Sequence, residues 1–117
     1  MEKNIIKEGR RRRYILFTIT KKDDIKISKD EIVLEIRNKC TELYKDKCKK
    51  MGIFLVRFDG NEGVLRCKHI EKENVINLLN SINRINKNDA IVKTIGTSGT
   101  IKSLIKKHSC AGEYASE

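Results

Sequence analysis

The centre of the chain reads Ile53-Phe54-Leu55-Val56-Arg57-Phe58, then Asp59-Gly60-Asn61-Glu62-Gly63, then Val64-Leu65-Arg66-Cys67-Lys68. The two outer runs have the length of strands and are rich in apolar residues, several of them β-branched or aromatic. The segment between them has the glycine and asparagine content of a turn. This pattern predicts a β-hairpin in the middle of the sequence.

A strand and a helix are predicted before the hairpin. Residues 14–20 are dominated by β-branched and aromatic side chains, which are typical of a strand. Ser28 followed by Glu31 has the spacing of a capping box, which indicates the start of a helix. Apolar residues then recur at helical spacing and predict one amphipathic helix that ends before Gly52; they are Ile32, Val33, Ile36, Cys40, Leu43 and Tyr44.

A second helix and a fourth strand are predicted after the hairpin. Val75, Leu78, Leu79 and Ile82 share one helical face, and this helix is expected to end near residues 86–89. The run from Ala90 to Ile95 predicts a strand that is broken by residues 96–99. A short helix is predicted from residue 100 to residue 107.

The predicted order is β-α-β-β-α-β with a helical tail, which corresponds to an α+β, ferredoxin-like (RNA-recognition-motif-like) fold. We expect an antiparallel sheet with helices on one face and the other face free. Residues 1–11 are interpreted as a flexible basic arm, residues 12–108 as a single domain, and residues 109–117 as a frayed tail.

The composition indicates a protein that binds polyanions. Among 117 residues, the formal net charge is +10, and such a field attracts negatively charged partners. The excess is clustered in Arg10–Arg13, Lys45–Lys50 and Lys102–Lys107 rather than spread evenly. No apolar run approaches the ~20 residues of a membrane span, and the first residues lack the apolar core of a signal peptide. We therefore expect a cytoplasmic protein with no membrane partner.

The residues give no indication of a self-contained active site. Cys40, Cys48, Cys67 and Cys110 lack paired metal-ligand spacing and are expected to be reduced, mostly buried thiols, with no metal bound. Recognised hydrolase and phosphate-loop patterns are absent. His69 is interpreted as a surface or interface residue rather than a general base. An acylphosphatase-like enzyme would need a glycine-rich loop after the first strand, and Lys21-Lys22-Asp23-Asp24 stands there instead.

Two segments favour binding to RNA through its phosphates and shape. The run Arg10–Arg13 tethers arginine forks, which match phosphate oxygens, to the first strand; the alternative is a solubility tail. The segment from Gly96 to Lys102 combines small residues, hydroxyls and a helix start, and Lys106 and Lys107 follow it. Its alternative is an ordinary strand-to-helix turn capped by Ser98 or Thr100.

The sheet itself gives a third hypothesis. Arg57, Arg66 and Lys93 each stand at an inner position of a strand, so the helix-free face would be basic, with Leu55, Val64 and Ile91 as an apolar background. A protein interface with long, snorkelling side chains is the alternative. The third strand has no aromatic residue, so base stacking of the RNA-recognition-motif kind is not expected.

Three stretches of the chain resemble the ribonuclease P protein component 2 family. They are Arg12 to Phe17, the segment from Phe58-Asp59-Gly60 to Gly63-Val64-Leu65-Arg66-Cys67, and, with the greatest specificity, Gly96-Thr97-Ser98-Gly99-Thr100-Ile101-Lys102. The similarity runs from about residue 12 to residue 107. It implies a protein subunit of the ribonucleoprotein that removes the 5′ leader of precursor tRNA.

The resemblance implies the division of labour and the partners. The RNA subunit would perform the hydrolysis with its Mg²⁺, and this chain would be non-catalytic, bind no cofactor, and stabilise the catalytic domain of the RNA. It would pair with protein component 3 in an assembly of two copies of each, join other ribonuclease P proteins, and meet precursor tRNA indirectly. The residues expected to contact RNA are Arg10, Arg11, Arg12, Arg13, Arg57, Arg66, Thr97, Ser98, Gly99, Thr100, Lys102, Lys106 and Lys107.

Two other functions remain open from the residues. A ribosomal or general RNA-binding protein of the same fold would share the charge and the strand order. A ferredoxin-like regulatory domain would instead have an apolar small-molecule pocket and little salt-dependent affinity for RNA.

Overall fold

The computed structural model describes residues 11–22 and 25–104. Their elements are β1 (Arg12–Lys21), α1 (Lys29–Tyr44), a 3₁₀ turn (Lys45–Lys50), β2 (Phe54–Phe58), β3 (Glu62–Lys68), a second 3₁₀ turn (His69–Glu71), α2 (Lys72–Asn80), β4 (Arg84–Ile85) and β5 (Asn88–Ser98), with a helical turn at residues 101–104.

The described residues form one five-stranded sheet in the order β2-β3-β1-β5-β4. Every neighbouring pair of strands is antiparallel. Because β1 lies between β3 and β5, the order matches the predicted ferredoxin-like arrangement, with the short β4 added at one edge. The α+β fold class and the central hairpin of β2 and β3 are confirmed.

Helix α1 begins where the capping box predicts. The Ser28 hydroxyl accepts a hydrogen bond from the Glu31 N–H at 3.2 Å, and the Glu31 carboxylate accepts one from the Ser28 N–H at 2.9 Å. These bonds lower the pKa of Glu31, with the Ser28 backbone bond as the main cause. Ile32, Ile36 and Cys40 lie on the buried face of α1.

The main core lies between the two helices and one face of the sheet. Ile15, Phe17 and Ile19 of β1 point into it, together with Leu65 of β3 and Val92 of β5. Phe17 stacks on Phe58, with ring centroids 6.3 Å apart. Gly63 lies opposite Phe17 in the sheet, and a Cβ at Gly63 would lie 2.6 Å from the Phe17 ring. The glycine therefore provides the space that this ring fills.

The second helix ends earlier than predicted. Helix α2 stops at Asn80, and its first residue beyond the end, Ser81, donates its hydroxyl to the Leu78 carbonyl at 2.7 Å. The expected helical residues up to 86–89 instead form β4 and a tight hairpin with β5. Asn86 and Lys87 form the two-residue turn of this hairpin, with φ values of 50° and 71°. Positive φ at both positions is typical of a type I′ hairpin turn and does not continue a right-handed helix.

Hydrogen bonds also close the outer edge of β5 beyond this hairpin. The N–H of Ala90 donates to the Asn83 carbonyl and the N–H of Val92 donates to the Ile82 carbonyl, each at 3.3 Å. The N–H of Thr94 donates to the Asn80 side-chain oxygen at 3.0 Å. Alternate donors along β5 are therefore bonded to the last residue of α2 and to the segment that connects α2 to β4.

Strand β5 is longer than predicted. It runs to Ser98, so Gly96 and Thr97 belong to the strand rather than to a break. The register against β1 shifts by one residue between Leu16 and Phe17, whose partners are Gly96 and Thr94. This bulge accommodates the extra residue, and the connection to the terminal helical turn shrinks to residues 99 and 100.

The sheet face opposite α1 and α2 is not fully free, which corrects the expectation. Leu104, in the last described helical turn, is fully buried against Leu16 and Val64, with Tyr14 and Val56 around them. The continuation of this helix to residue 107 lies outside the described residues. The last described helical turn thus covers the centre of this face with the apolar side chain of Leu104.

The cysteines differ from the prediction of reduced thiols. Cys40 and Cys48 form a disulfide, with their Cα atoms 5.7 Å apart, because the 3₁₀ turn after α1 folds Cys48 back against the end of that helix. Cys67 is a free, buried thiol whose pKa burial raises to about 11. It is therefore protonated and unreactive at neutral pH. Cys110 lies outside the described residues.

Asp59 stabilises the hairpin turn between β2 and β3. One carboxylate oxygen accepts hydrogen bonds from the N–H groups of Asn61 at 2.9 Å and Glu62 at 2.8 Å. The Asn61 bond, followed by the Glu62 bond, lowers the pKa of Asp59. A carboxyl group with a lowered folded pKa contributes stability above its ordinary pKa of about 3.9, and that contribution is lost as the pH falls through the folded value.

We predict that Asp59→Ala lowers the free energy of unfolding by about 1 kcal/mol at pH 7. The difference between the two proteins should be constant above pH 5 and should shrink as the pH falls below 4. Urea unfolding at pH 7, 5, 4 and 3 measures it. A difference that is independent of pH would mean that the carboxylate charge does not support the turn.

Candidate nucleic-acid interface

The helix-free face of the sheet carries a set of cations that we call the basic face. Strand alternation and the pairing of the strands place these side chains on the same side of the sheet as the Leu104 cluster, which is opposite the main core. They are Arg12, Arg57, Arg66, Lys68 and Lys93. The predicted trio of Arg57, Arg66 and Lys93 therefore does share this side.

The apolar background of this face differs from the one predicted. Leu55 belongs to the main core on the opposite side, whereas Val64 and the exposed Ile91 lie on the basic face. Arg57 reaches this side because the pairing of β2 with β3 shifts between Leu55 and Arg57. A shallow groove of about 120 Å³ runs beside Arg57; its lining combines the apolar Leu16 and Val64 with the acidic Asp59 and Glu62.

Arg66 and Phe54 form the most organised contact on the basic face. They are paired across β2 and β3, and the Arg66 guanidinium carbon lies 4.8 Å from the centre of the Phe54 ring. The same row continues through Tyr14 of β1 to Ser98 of β5. The buried Arg66 Nε has no hydrogen-bond partner, and no carboxylate pairs with Arg66 among the described residues.

The arginines at the start of β1 do not act as one group. The Arg12 side chain lies on the basic face, whereas the Arg13 side chain projects to the opposite side of β1. The Arg13 Nε donates a hydrogen bond to the His69 Nδ1 at 3.0 Å. The Arg13 Nη1 lies 3.3 Å from where a Cβ at Gly99 would stand. The structure thus brings Arg13, His69 and Gly99 together.

The predicted anion-binding turn is largely engaged in local bonds. The Thr100 hydroxyl accepts from the Ser103 N–H at 3.1 Å and caps the terminal helical turn, while the Ser98 hydroxyl accepts from the Thr100 N–H at 3.5 Å. Thr97 is half-buried and Lys102 is exposed. The capping role that was the alternative interpretation is therefore present. RNA contact by this turn stays a prediction.

The remaining predicted cations have separate places. Arg11 is exposed at the start of the described chain, and Arg10, Lys106 and Lys107 lie outside the described residues. In the predicted Lys45–Lys50 cluster, Lys47 forms an ion pair with the buried Glu71 at 3.5 Å. The Glu71 carboxylate also accepts from the Asn74 amide at 2.9 Å, so Lys47 helps to hold the second 3₁₀ turn and α2.

Phe54 is the surface residue that the sequence argument missed. The prediction placed it inside a strand but assigned it to neither face. Because the sequence analysis put Leu55 on the helix-free face, strand alternation would have turned Phe54 toward the helices. Leu55 is instead buried in the main core, and Phe54 therefore lies on the basic face.

The described residues contain no group of three or more histidine, cysteine or acidic side chains placed to hold a metal ion. None of the helices that the structure describes is long and apolar enough to cross a membrane.

Taken together, the fold and the cation-rich sheet face define a small basic α+β protein of ferredoxin-like topology. The family model described as "Rpp14/Pop5 family" matches residues 13–108. The chain therefore belongs to the Rpp14/Pop5 family.

Two curated relatives carry the same name, "Ribonuclease P protein component 2". The relative from Pyrococcus furiosus is 37% identical over 103 residues, which cover 83% of this chain and 82% of the relative. The relative from Methanosarcina barkeri is 26% identical over 98 residues, which cover 83% of this chain and 71% of the relative.

A solved structure shares the fold at low identity. A chain in the cryo-EM structure of yeast ribonuclease MRP superimposes with a TM-score of 0.68 at 12% identity, covering 89% of this chain and 95% of that chain. At that identity the similarity shows the fold alone, and it agrees with the ferredoxin-like topology of the sheet.

Proposed function

We propose that this chain is a protein subunit of ribonuclease P, the ribonucleoprotein that removes the 5′ leader of precursor tRNA. The observation that carries the proposal is the family match over residues 13–108. It is supported by the 37% identity to a ribonuclease P protein component 2 along most of both chains. The match spans both helices and the sheet from Arg13 onward, so it includes every residue of the basic face except Arg12.

The chain acts in this proposal by binding phosphates of the ribonuclease P RNA. A net charge of +10 and a sheet face with five basic side chains supply the attraction, and arginine forks supply directional hydrogen bonds to phosphate oxygens. These cations offset phosphate repulsion where RNA strands converge. The chain thereby stabilises the folded catalytic domain of the RNA.

The chemistry belongs to the RNA in this proposal. The RNA subunit holds the Mg²⁺ ions and cleaves the phosphodiester bond, and this chain is a non-catalytic subunit. It pairs with protein component 3, in an assembly with two copies of each, and it works in the cytoplasm.

The proposal is tested by reconstitution. We expect ribonuclease P RNA with component 3 to cleave the 5′ leader of precursor tRNA efficiently at moderate Mg²⁺ only when this chain is added. Raising Mg²⁺ should partly replace the chain, because added cations screen the same phosphates. Cleavage that is indifferent to the chain at every Mg²⁺ concentration would overturn the proposal and leave a general RNA-binding function.

A further inference from the structure

Phe54 is an exposed aromatic ring on a cationic surface. Its side chain is 53% exposed, although burying such a ring would favour folding. Four residues of the basic face lie near this edge of the sheet. Arg57 is on β2, Arg66 and Lys68 are on β3, and Arg12 is on β1 opposite Lys68. An exposed ring among cations is the combination with which proteins hold unpaired nucleotides.

The ring is held in place from one side. The Arg66 guanidinium lies over the Phe54 ring, 4.8 Å from its centre. Strand β2 is the outermost strand of the sheet on this side, so no further strand of the described chain lies beyond Phe54. One face of the ring is therefore backed by a cation, and the exposed area belongs to its edge and its other face.

The charges around the ring favour RNA over a protein as the occupant. Among the described residues, no salt bridge involves Arg66, Arg57 or Lys68. The charge of Arg57 is a minor cause of the lowered pKa of Asp59, but one oxygen of that carboxylate is already bonded to the N–H groups of its own turn. Arg57 lies opposite Val64 in the sheet. Val64 is two residues from Arg66 along β3, which separates their Cα atoms by about 7 Å. Lys68 is two residues away in the other direction. Cations thus flank the ring on both sides along the strand, as a backbone of successive phosphates requires.

We propose that Phe54 and Arg66 form a binding site for one unpaired base of the RNA. The base stacks on the exposed face of the Phe54 ring, with the Arg66 guanidinium behind the ring, and the phosphates on either side of that base bind Arg57 and Lys68. This inference rests on the proposed function and names the RNA element that the basic face takes: an unpaired nucleotide in a loop or bulge. Stacking of this kind accepts any of the four bases.

The site revises the expectation that the chain does not stack on bases. That expectation came from β3, which indeed has no aromatic residue. The ring is supplied by β2 instead, one strand further out, and β3 supplies the arginine behind it.

The test is the affinity of the full chain with component 3 for ribonuclease P RNA, measured over a range of salt concentrations. Phe54→Leu should raise Kd by roughly 5- to 150-fold, the range for losing one stacked base, and should leave the slope of log Kd against log salt unchanged. Phe54→Tyr should retain the wild-type affinity. Arg57→Gln should lower the magnitude of the slope by about 0.7 to 0.9, the value for one lost phosphate contact.

Leu34→Ala is the matched control. Leu34 is 57% exposed, a fraction close to that of Phe54, but it lies on helix α1. Its replacement should leave both Kd and the salt slope unchanged. Thermal unfolding of each variant establishes that the fold is retained, because an exposed leucine in place of Phe54 removes no part of the main core.

The outcomes separate this inference from the function on which it rests. If the wild-type chain supports leader cleavage but Phe54→Leu binds RNA normally, the nucleotide site is wrong and the proposed function stands. If Phe54→Leu weakens the association with component 3 and leaves RNA affinity intact, the ring belongs to a protein interface. If the wild-type chain does not bind ribonuclease P RNA, the proposed function itself fails.

Discussion

Replacing Arg11, Arg12 and Arg13 together by glutamine should weaken binding to ribonuclease P RNA by on the order of 100-fold at moderate salt. A net hydrogen bond is worth about 1 kcal/mol, so the loss of three contacts costs about 3 kcal/mol, and every 1.4 kcal/mol is tenfold in Kd. The slope of log Kd against log salt should also fall, by somewhat less than one unit for each phosphate contact that is lost. Titrations of RNA with protein at several salt concentrations measure both quantities.

A control with the same loss of charge separates local contacts from net charge. Lys26, Lys29 and Arg37 lie outside the basic face and are all exposed, so their joint replacement by glutamine changes the net charge by the same amount. We expect this control to weaken binding only slightly. An unchanged salt slope in the Arg11–Arg13 variant would mean that this segment serves solubility alone.

The structure divides the effects of the three arginines. Arg13 donates to His69 and lies against Gly99, so Arg13→Gln should lower the melting temperature as well as the RNA affinity. Arg11 is exposed, so Arg11→Gln should change the affinity alone. Thermal unfolding beside the binding titrations distinguishes these outcomes, and an Arg13 variant of normal stability would show that the contact with His69 contributes nothing measurable.

Gly63→Ala should have the largest effect on stability among the changes considered. The new Cβ would lie 2.6 Å from the Phe17 ring and 3.0 Å from the Arg57 carbonyl oxygen, so the ring or the strand must move. Overpacking of this kind costs about 1–3 kcal/mol. Denaturant unfolding, with the m value checked for constancy, gives the loss.

A double-mutant cycle identifies the cause of that loss. Phe17→Leu alone should destabilise the protein, because it removes part of a buried ring. In the Phe17→Leu background, however, Gly63→Ala should cost less than it does in the wild type, since the ring atoms that clash are gone. Two additive effects would place the strain in the backbone of β3 instead of the ring.

Much of the fold is predictable because local signals agree with tertiary packing. Ser28 and Glu31 determine where α1 begins, and the apolar spacing of Ile32, Ile36 and Cys40 selects the buried face of α1. The central hairpin follows from its turn residues. In each of these cases the physical cause lies within a few residues of its effect.

The rest depends on contacts that no short window contains. The burial of Leu104 against Leu16 and Val64 arises only once the sheet exists. The early end of α2 depends on a reversed turn at Asn86 and Lys87, and lysine is not a residue that signals positive φ. The disulfide between Cys40 and Cys48 requires the 3₁₀ turn that brings the two sulfurs together.

The candidate site shows the same division between local and distant causes. Simple alternation places Leu55 and Arg57 on one side of β2, and only the shift in pairing between them puts Arg57 on the basic face. The cationic character of that face was therefore predicted correctly, although Leu55 was assigned to the wrong side.

The backbone bonds along the outer edge of β5 affect how the chain can assemble. A sheet edge with unpaired backbone donors can pair with a strand of another protein or of a second copy of the same chain, which leads to aggregation. Here Asn80, Ile82 and Asn83 already occupy those donors from Ala90 to Thr94. At the opposite edge, β2 has five residues and an irregular register. Within the described chain, neither edge therefore offers a long, flat template on which a further strand could add.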